Sequence, residues 1–268
     1  MMDEARLDEV VSLVLSGARY RQIHPGLVRK IAVQVLDKGQ SQKEAVKEIR
    51  SKLHQVGGAY QEKPPDYMRL LDGLHGLPHE LEALRPYCLD AMRFHASTRE
   101  RLPFLAEFYS PLKEKIGDVS SILDLACGLN PLALPWMPLA AGCEYLACDI
   151  YADMVRFLNV FFQHARIRGE ARLCDLTAEV PSQPVELVLL LKTLPCLEQL
   201  DKSIGERLVN ELQADHILVS YPARSLSGRG KGMPQNYTEH FEHLIAGKPY
   251  QVARWQVKTE IVFLISRN

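Results

Sequence analysis

The sequence predicts an α/β protein in which a doubly wound, mostly parallel sheet follows a purely helical segment. Three observations carry that expectation. From Ile122 onward, short β-rich runs alternate with helical stretches, which implies a parallel sheet covered on both faces. The last two runs, Tyr250–Val257 and Glu260–Ile265, have only Lys258 and Thr259 between them, so the sheet closes with an antiparallel hairpin. Residues 3–57 instead carry apolar side chains at helical spacing. At 268 residues, 47% hydrophobic and 24% charged, the chain can bury a sizeable core.

The helical segment resolves into three helices. Leu7, Val10, Val11 and Val14 share one face of the first, and Val28, Ile31, Val35 and Leu36 share one face of the second, after Pro25. Ser41 and Glu44 form a capping box for the third, which points Ala45, Val46, Ile49 and Leu53 inward and stops at Gly57-Gly58. Lys63-Pro64-Pro65 breaks the pattern, and a second helical stretch runs from Asp66 to His95. Ser97 and Glu100 form another capping box for a helix through Arg101, Leu105, Phe108 and Leu112. The expected division is a helical domain over residues 1–97 and a sheet domain over 98–268, with β-rich runs at Ile122–Leu125, Glu144–Cys148, Arg172–Cys174, Val185–Leu191 and His216–Tyr221 before the hairpin, seven strands in all.

Composition excludes several classes. The longest apolar run, Val185 to Leu191, is too short to cross a bilayer, and the acidic N-terminus lacks the order of a signal peptide, so a cytosolic protein without membrane attachment is expected. The six cysteines form no CxxC pair and have no histidine partners at zinc spacing, which predicts reduced, mostly buried thiols and no metal. The net charge of −1 hides a cluster. Arg19, Arg21, Arg29, Lys30, Lys38, Lys43, Lys47, Arg50 and Lys52 are opposed only by Asp37, Glu44 and Glu48, giving the helical segment a basic surface suited to a polyanion.

In an open parallel sheet, ligands bind beyond the carboxyl ends of the strands, so the residues after each strand carry the chemistry. After the first strand come Ala126, Cys127 and Gly128, in a loop too poor in glycine for a dinucleotide pyrophosphate. Asp149 ends the second strand and can accept hydrogen bonds from two ribose hydroxyls; Asp175-Leu176 follow the third, where an adenine edge would lie. A nucleoside ligand without phosphates fits this set, and S-adenosyl-L-methionine is one. After the fourth strand, in LLLKTLPCLEQ, Lys192 and Glu198 either pair with each other or face the acceptor of a transferred group. After the fifth, residues 221–237 hold Arg224, Arg229 and Lys231 with three glycines and no acid, as a phosphate-tracking loop requires, or as a solvated loop allows.

With KLHQVGGAY (52–60), HASTRERLPFLAEFY (95–109), ILDLACGLNPLALPW (122–136), LLLKTLPCLE (189–198) and the basic loop, the chain resembles the 16S ribosomal RNA (guanine-N7)-methyltransferases of aminoglycoside resistance, which act on guanine 1405. The resemblance implies a class I S-adenosylmethionine-dependent methyltransferase domain, Rossmann-like, behind a helical domain that docks on the 30S subunit. It also implies that Tyr60, His95, Ala96, Ser97 and Arg101 line the cofactor pocket from the N-terminal side, with Arg101 gripping the methionine carboxylate through a two-pronged ion pair. Ala126, Gly128 and Leu191 would lie against the cofactor, Asp149 on its ribose, and Asp175 and Leu176 on its adenine. The family's glutamine after LPCLE is out of place here, Gln199 standing one position early and Leu200 where it belongs. Lys192 and Glu198 match positions on which activity depends, and Arg224, Arg229 and Lys231 match the RNA-facing loop, beside Arg19, Arg21, Arg29, Lys30 and Lys52 of the helical domain.

The implied activity is methyl transfer to N7 of guanine 1405 by a monomer, conferring resistance to 4,6-disubstituted deoxystreptamine aminoglycosides. N7 needs no general base, and Glu198 would pair with the guanine edge or balance the cationic product, while Lys192 would contact O6 or a phosphate. Trp136 or Tyr221 could stack on the target base. A methyltransferase for another ribosomal site or a small molecule shares the cofactor loops, and a non-catalytic RNA-binding protein shares the basic surfaces.

Overall fold

A sheet whose first strand lies near its centre sets up the whole molecule. The computed structural model describes residues 3–58, 65–223 and 233–267. Among them, seven strands, β1 (Val119–Leu125), β2 (Leu139–Asp149), β3 (Arg168–Leu173), β4 (Val185–Leu191), β5 (Ala214–Pro222), β6 (Tyr250–Val257) and β7 (Glu260–Arg267), pair in the order β3-β2-β1-β4-β5-β7-β6. β1 through β5 are parallel, and β7 runs antiparallel to both β5 and β6. The predicted strands and closing hairpin are all present, β4 and β6 with the predicted ends and the others longer or shifted by a few residues. Lys258, at φ +47°, makes the tight hairpin turn.

The helical segment folds as expected into α1 (Glu4–Leu15), α2 (Pro25–Leu36) and α3 (Gln42–Leu53). Asp3 caps α1, Pro25 opens α2 where its missing N–H costs nothing, and Ser41 and Glu44 form the predicted capping box. Gly57-Gly58 do not simply stop α3. The chain continues into a π turn, His54–Gly58, and a Cβ at Gly57 would stand 2.7 Å from the Tyr151 hydroxyl, so glycine permits close approach to the loop after β2. Residues 22–24 pair with residues 150–152 as an antiparallel bridge, through His24 N–H to the Ile150 carbonyl (2.8 Å) and Ala152 N–H to the Gln22 carbonyl (2.8 Å). The bundle therefore shares one continuous apolar cluster with one face of the sheet, including Val28, Ile49, Tyr151, Phe157 and Leu189. A second cluster fills the opposite face.

Between them lie α4 (Tyr67–Leu74), α5 (Arg85–Met92), α6 (Ala96–Arg101) and α7 (Leu105–Ile116). The capping box expected at Ser97 is absent: His95 precedes the first turn without a side-chain cap, and Ser97 lies inside the helix. Glu100 turns to Lys192 instead, where a buried ammonium is a stronger partner than a backbone N–H. The helix does not run unbroken to Leu112 either, because Pro103 tightens Leu102–Phe104 into a 3₁₀ turn. α8 (Ala152–His164), α9 (Leu194–Leu197), α10 (Ile204–Glu211) and α11 (Met233–Ile245) complete the fold.

Candidate active site

β1 delivers the chain into a turn that only a restricted set of residues can make. Ala126 and Gly128 both have positive φ, +51° and +54°. A Cβ on Gly128 would stand 2.6 Å from His95 Cε1, so the glycine is required twice, by its backbone and by the imidazole packed over it. The turn aims the Gly128 N–H at Asp149 Oδ2 (2.9 Å), while the Ile150 N–H donates to Oδ1 (2.7 Å). Burial pushes the Asp149 carboxyl up to about 6 even against these donors. After β3, Asp175 Oδ1 accepts from the Thr177 N–H (2.9 Å) and hydroxyl (2.7 Å), closing a small loop with Leu176 at its tip. The Thr177 carbonyl is gripped from outside by Lys30 of α2 (2.7 Å) and Arg207 of α10 (2.9 Å).

On the other side of β1 the charges are dense. Lys192, at φ +59° after β4, is 3% exposed. Its ammonium donates to Glu100 (2.7 Å) and the Ser97 carbonyl (3.3 Å) and lies 3.4 Å from Glu260 Oε1. Arg101, 1% exposed, donates through Nε (3.1 Å) and Nη2 (2.8 Å) to Glu260 and through Nη1 (3.0 Å) to Asn130 Oδ1. Burial alone would push Glu260 up, but Arg101 and Lys192 hold its carboxyl below the usual range. Asn130 also accepts from Tyr109 (2.7 Å) and donates to Asp124 (2.8 Å), whose carboxyl burial raises to about 7. Burial holds His95 neutral, its imidazole lowered to about 3.

These two groups stand on either side of β1 and line one cleft. Of the residues singled out in the sequence, His95, Ser97, Arg101, Ala126, Asp149, Asp175, Leu176, Leu191 and Lys192 line the cleft. Ala96 is buried at the start of α6 and Gly128 lies beneath His95, both adjacent to the cleft wall and not part of it. Gln199 is exposed and donates to the Pro195 carbonyl (3.1 Å), whereas Leu200 lines the cleft, so the displaced glutamine does not reach the pocket. Glu198 is not part of the wall and does not pair with Lys192. It takes His240 of α11 (3.1 Å) and rests on Gly205 of α10, whose missing Cβ leaves the room. Burial pushes its carboxyl up, partly offset by His240.

The basic surface is partly spent inside the molecule. Arg29 pairs with Glu4 and Asp8 on α1, Lys30 latches Thr177, and Arg19 reaches the Gly58 carbonyl (3.4 Å). Arg21, Lys43 and Lys47 are exposed, and Lys52 is half-buried. Tyr221 is buried and stacks on Tyr237 (4.9 Å), and Trp136 packs beneath the Arg85 guanidinium (5.3 Å), so both aromatics expected near a target base have structural contacts. Tyr60, Arg224, Arg229 and Lys231 lie outside the described residues.

The wall residues from the helical segment had no local signal. Leu27, Val56 and Gly57 enter from the helical segment, and Cys127, Cys148, Cys174 and Cys196 line the cleft as free thiols. Glu260 could have been noticed as a lone acid opening an otherwise apolar strand, EIVFLIS. Among the described residues no cluster able to hold a metal occurs, and no helix is long and apolar enough to cross a membrane.

The donor set fits an adenosyl amino acid. An acid anchored by backbone amides stands on one side, aliphatic walls from Leu27, Leu176 and Leu200 flank it, and two buried cations stand on the other. Sheet order, reversed last strand and switch-point cleft together define a class I S-adenosylmethionine-dependent methyltransferase fold. Within that class, the chain belongs to the ribosomal RNA methyltransferase (FmrO) family, which it matches over residues 16–265. It is 35% identical, over 98% of both chains, to the 16S rRNA (guanine(1405)-N(7))-methyltransferase of Micromonospora echinospora. To the protein of the same name from Frankia casuarinae it is 36% identical, over 98% of this chain and 95% of that one. The solved structure of the 16S rRNA methyltransferase RmtF, in complex with S-adenosyl-L-homocysteine, superposes with a TM-score of 0.86 at 32% identity over the whole of both chains. That of the 16S rRNA methylase RmtB superposes with a TM-score of 0.82 at 26% identity over 98% of each.

Proposed function

We propose that this protein transfers the methyl group of S-adenosyl-L-methionine to N7 of guanine 1405 in 16S rRNA of the assembled 30S subunit, as a monomer in the cytoplasm, and so obstructs 4,6-disubstituted deoxystreptamine aminoglycosides. The observation that carries this reading is the cleft itself, with Asp149 on one side and Arg101 with Lys192 on the other, in a chain similar along its length to enzymes named for that position. When bound, the cofactor supplies an electrophilic methyl group. Asp149 would accept from the ribose hydroxyls, Leu176 and Leu200 would flank the adenine, and Arg101, with three of its five N–H donors engaged, retains two for a carboxylate.

Guanine N7 carries a lone pair and no proton, so the chain needs to remove none. His95, its imidazole lowered to about 3 by burial, is a weak base packed against the Gly128 turn. Placement of the base is then the protein's main contribution, worth on the order of several kcal/mol. Glu198 would serve the cationic product only by exchanging its His240 partner for the guanine edge. The domain over residues 1–97 would dock on ribosomal phosphates through exposed Arg21, Lys43 and Lys47, with the loop carrying Arg224, Arg229 and Lys231 beside the target.

The test is methylation of purified 30S subunits and of naked 16S RNA with radiolabelled cofactor, followed by aniline cleavage and primer extension. A single stop at guanine 1405 on subunits and none on free RNA is the expected result. A stop elsewhere would sink the positional assignment while leaving the fold and cofactor reading intact.

A further inference from the structure

Glu260 is the most completely buried acid in the described chain, with 0% exposure, and no step of the proposed reaction uses it. Its position has a topological cause. β7 is antiparallel to β5, so its first residue lies at the edge where the parallel strands end, and Glu260 pairs in register with Pro222. The Lys258–Thr259 turn fixes it there, with the Ala223 N–H bound to the Thr259 carbonyl (2.6 Å). The C-terminal hairpin thus carries one carboxylate to the cation side of a cleft formed by residues far earlier in the chain.

Two of the polar partners of that carboxylate, Arg101 and Lys192, line the cleft. Arg101 approaches both oxygens in a fork (3.1 and 2.8 Å), Lys192 lies 3.4 Å away, and the Ser220 hydroxyl donates to Oε2 (2.9 Å). The Phe108 ring lies 4.2 Å from the Arg101 guanidinium carbon and closes another side. The two cations, 1% and 3% exposed, are met by Glu260 at 0% and by Glu100, whose side chain is 36% exposed, so Glu260 is the acid that holds both from the interior. Buried charges are normally balanced. Arg101 and Lys192 both line the cleft, so the faces that Glu260 does not occupy are turned to it.

We propose that Glu260 is a positioning residue: it holds Arg101 and Lys192 in place as a preorganised cation pair that selects the carboxylate-bearing tail of the cofactor over adenosine alone. The role rests on the cofactor reading above and adds to it the origin of tail selectivity. Glu260 itself touches no ligand; it acts by fixing two side chains whose free rotation would otherwise have to be arrested on binding.

Binding measured by calorimetry separates this role from simple structural support, with S-adenosyl-L-homocysteine and adenosine as paired probes. Glu260→Gln keeps the shape and removes the charge. The expected result is at least a 10-fold loss of S-adenosyl-L-homocysteine affinity with adenosine affinity changed less than 3-fold. Should that variant fail to fold, Ser220→Ala removes one hydrogen bond to Glu260 and keeps its charge; the same bias, reduced to about 2- to 3-fold, is expected. Equal loss for both probes, or no loss for either, overturns the positioning role. Wild-type protein that binds S-adenosyl-L-homocysteine no tighter than adenosine overturns the cofactor reading itself, a failure visible before any variant is made.

Discussion

The two sides of the cleft are built by different means. On the Asp149 side, one carboxylate is held by backbone N–H groups from the turn after β1 and from its own strand end, with Leu176 and Thr177 closing a local loop. On the Arg101 side, four charged side chains from α6, β7 and the loop after β4 hold one another across as many as 159 residues of sequence. A backbone-held site is rigid because its donors belong to the fold. A site held by side chains is only as rigid as its charge balance. The first side should therefore fail through backbone geometry and protonation of one acid, and the second through loss of any partner.

The largest effect tests the backbone half. Gly128→Ala places a side chain at φ +54° and 2.6 Å from His95. Strain and overpacking together should cost about 2–4 kcal/mol, seen as a Tm lowered by roughly 5–15 °C in calorimetry. A variant as stable as wild type would show that the turn is softer than its contacts indicate. Next, Asp149→Asn removes a charged acceptor, and S-adenosyl-L-homocysteine affinity should fall about 10- to 100-fold, with adenosine affinity falling by a similar factor. That shared loss is the opposite of the tail-selective loss expected at Glu260.

Protonation sharpens the contrast. The Asp149 carboxyl is raised to about 6, so it is ionised at pH 7.5 and protonated below that point. Affinity for adenosine should therefore weaken as pH falls from 7 to 5, and Asp149→Asn should abolish most of the slope. Any slope left reports Asp124, raised to about 7. The stability sign is the reverse: a carboxyl raised by burial favours the folded state below its unfolded value and loses that contribution as pH rises through about 6 to 7. A flat affinity profile in both proteins would mean that the carboxylate does not receive the nucleoside.

The smallest effect concerns the helical bundle. Lys30→Met removes one of two cations on the Thr177 carbonyl, and Arg207 remains. Cofactor affinity should drop about 2- to 5-fold, whereas 30S binding, measured at fixed salt, should barely change. A large loss of 30S binding with intact cofactor affinity would return Lys30 to the RNA surface.

The amino-acid sequence by itself determined a good deal. Alternation of β-rich and helical runs placed every strand, because periodicity records which face of each local element meets the core. The two-residue gap at Lys258–Thr259 specified the reversed hairpin, since no crossover fits in two residues. Reading the residues after each parallel strand found Ala126, Asp149, Asp175 and Lys192, because that edge is where an open sheet binds ligands. Tertiary structure decided the rest. It drew Glu198 away to His240, left Gln199 outside, and turned Lys30 inward as a latch. It also brought Leu27 and Gly57 to the cleft and Glu260 behind its cations, from opposite ends of the chain. Local pattern fixes where a residue points within its own element. Which buried charge it meets depends on packing between elements, and the cost of leaving a charge unpaired is settled only once those elements have come together.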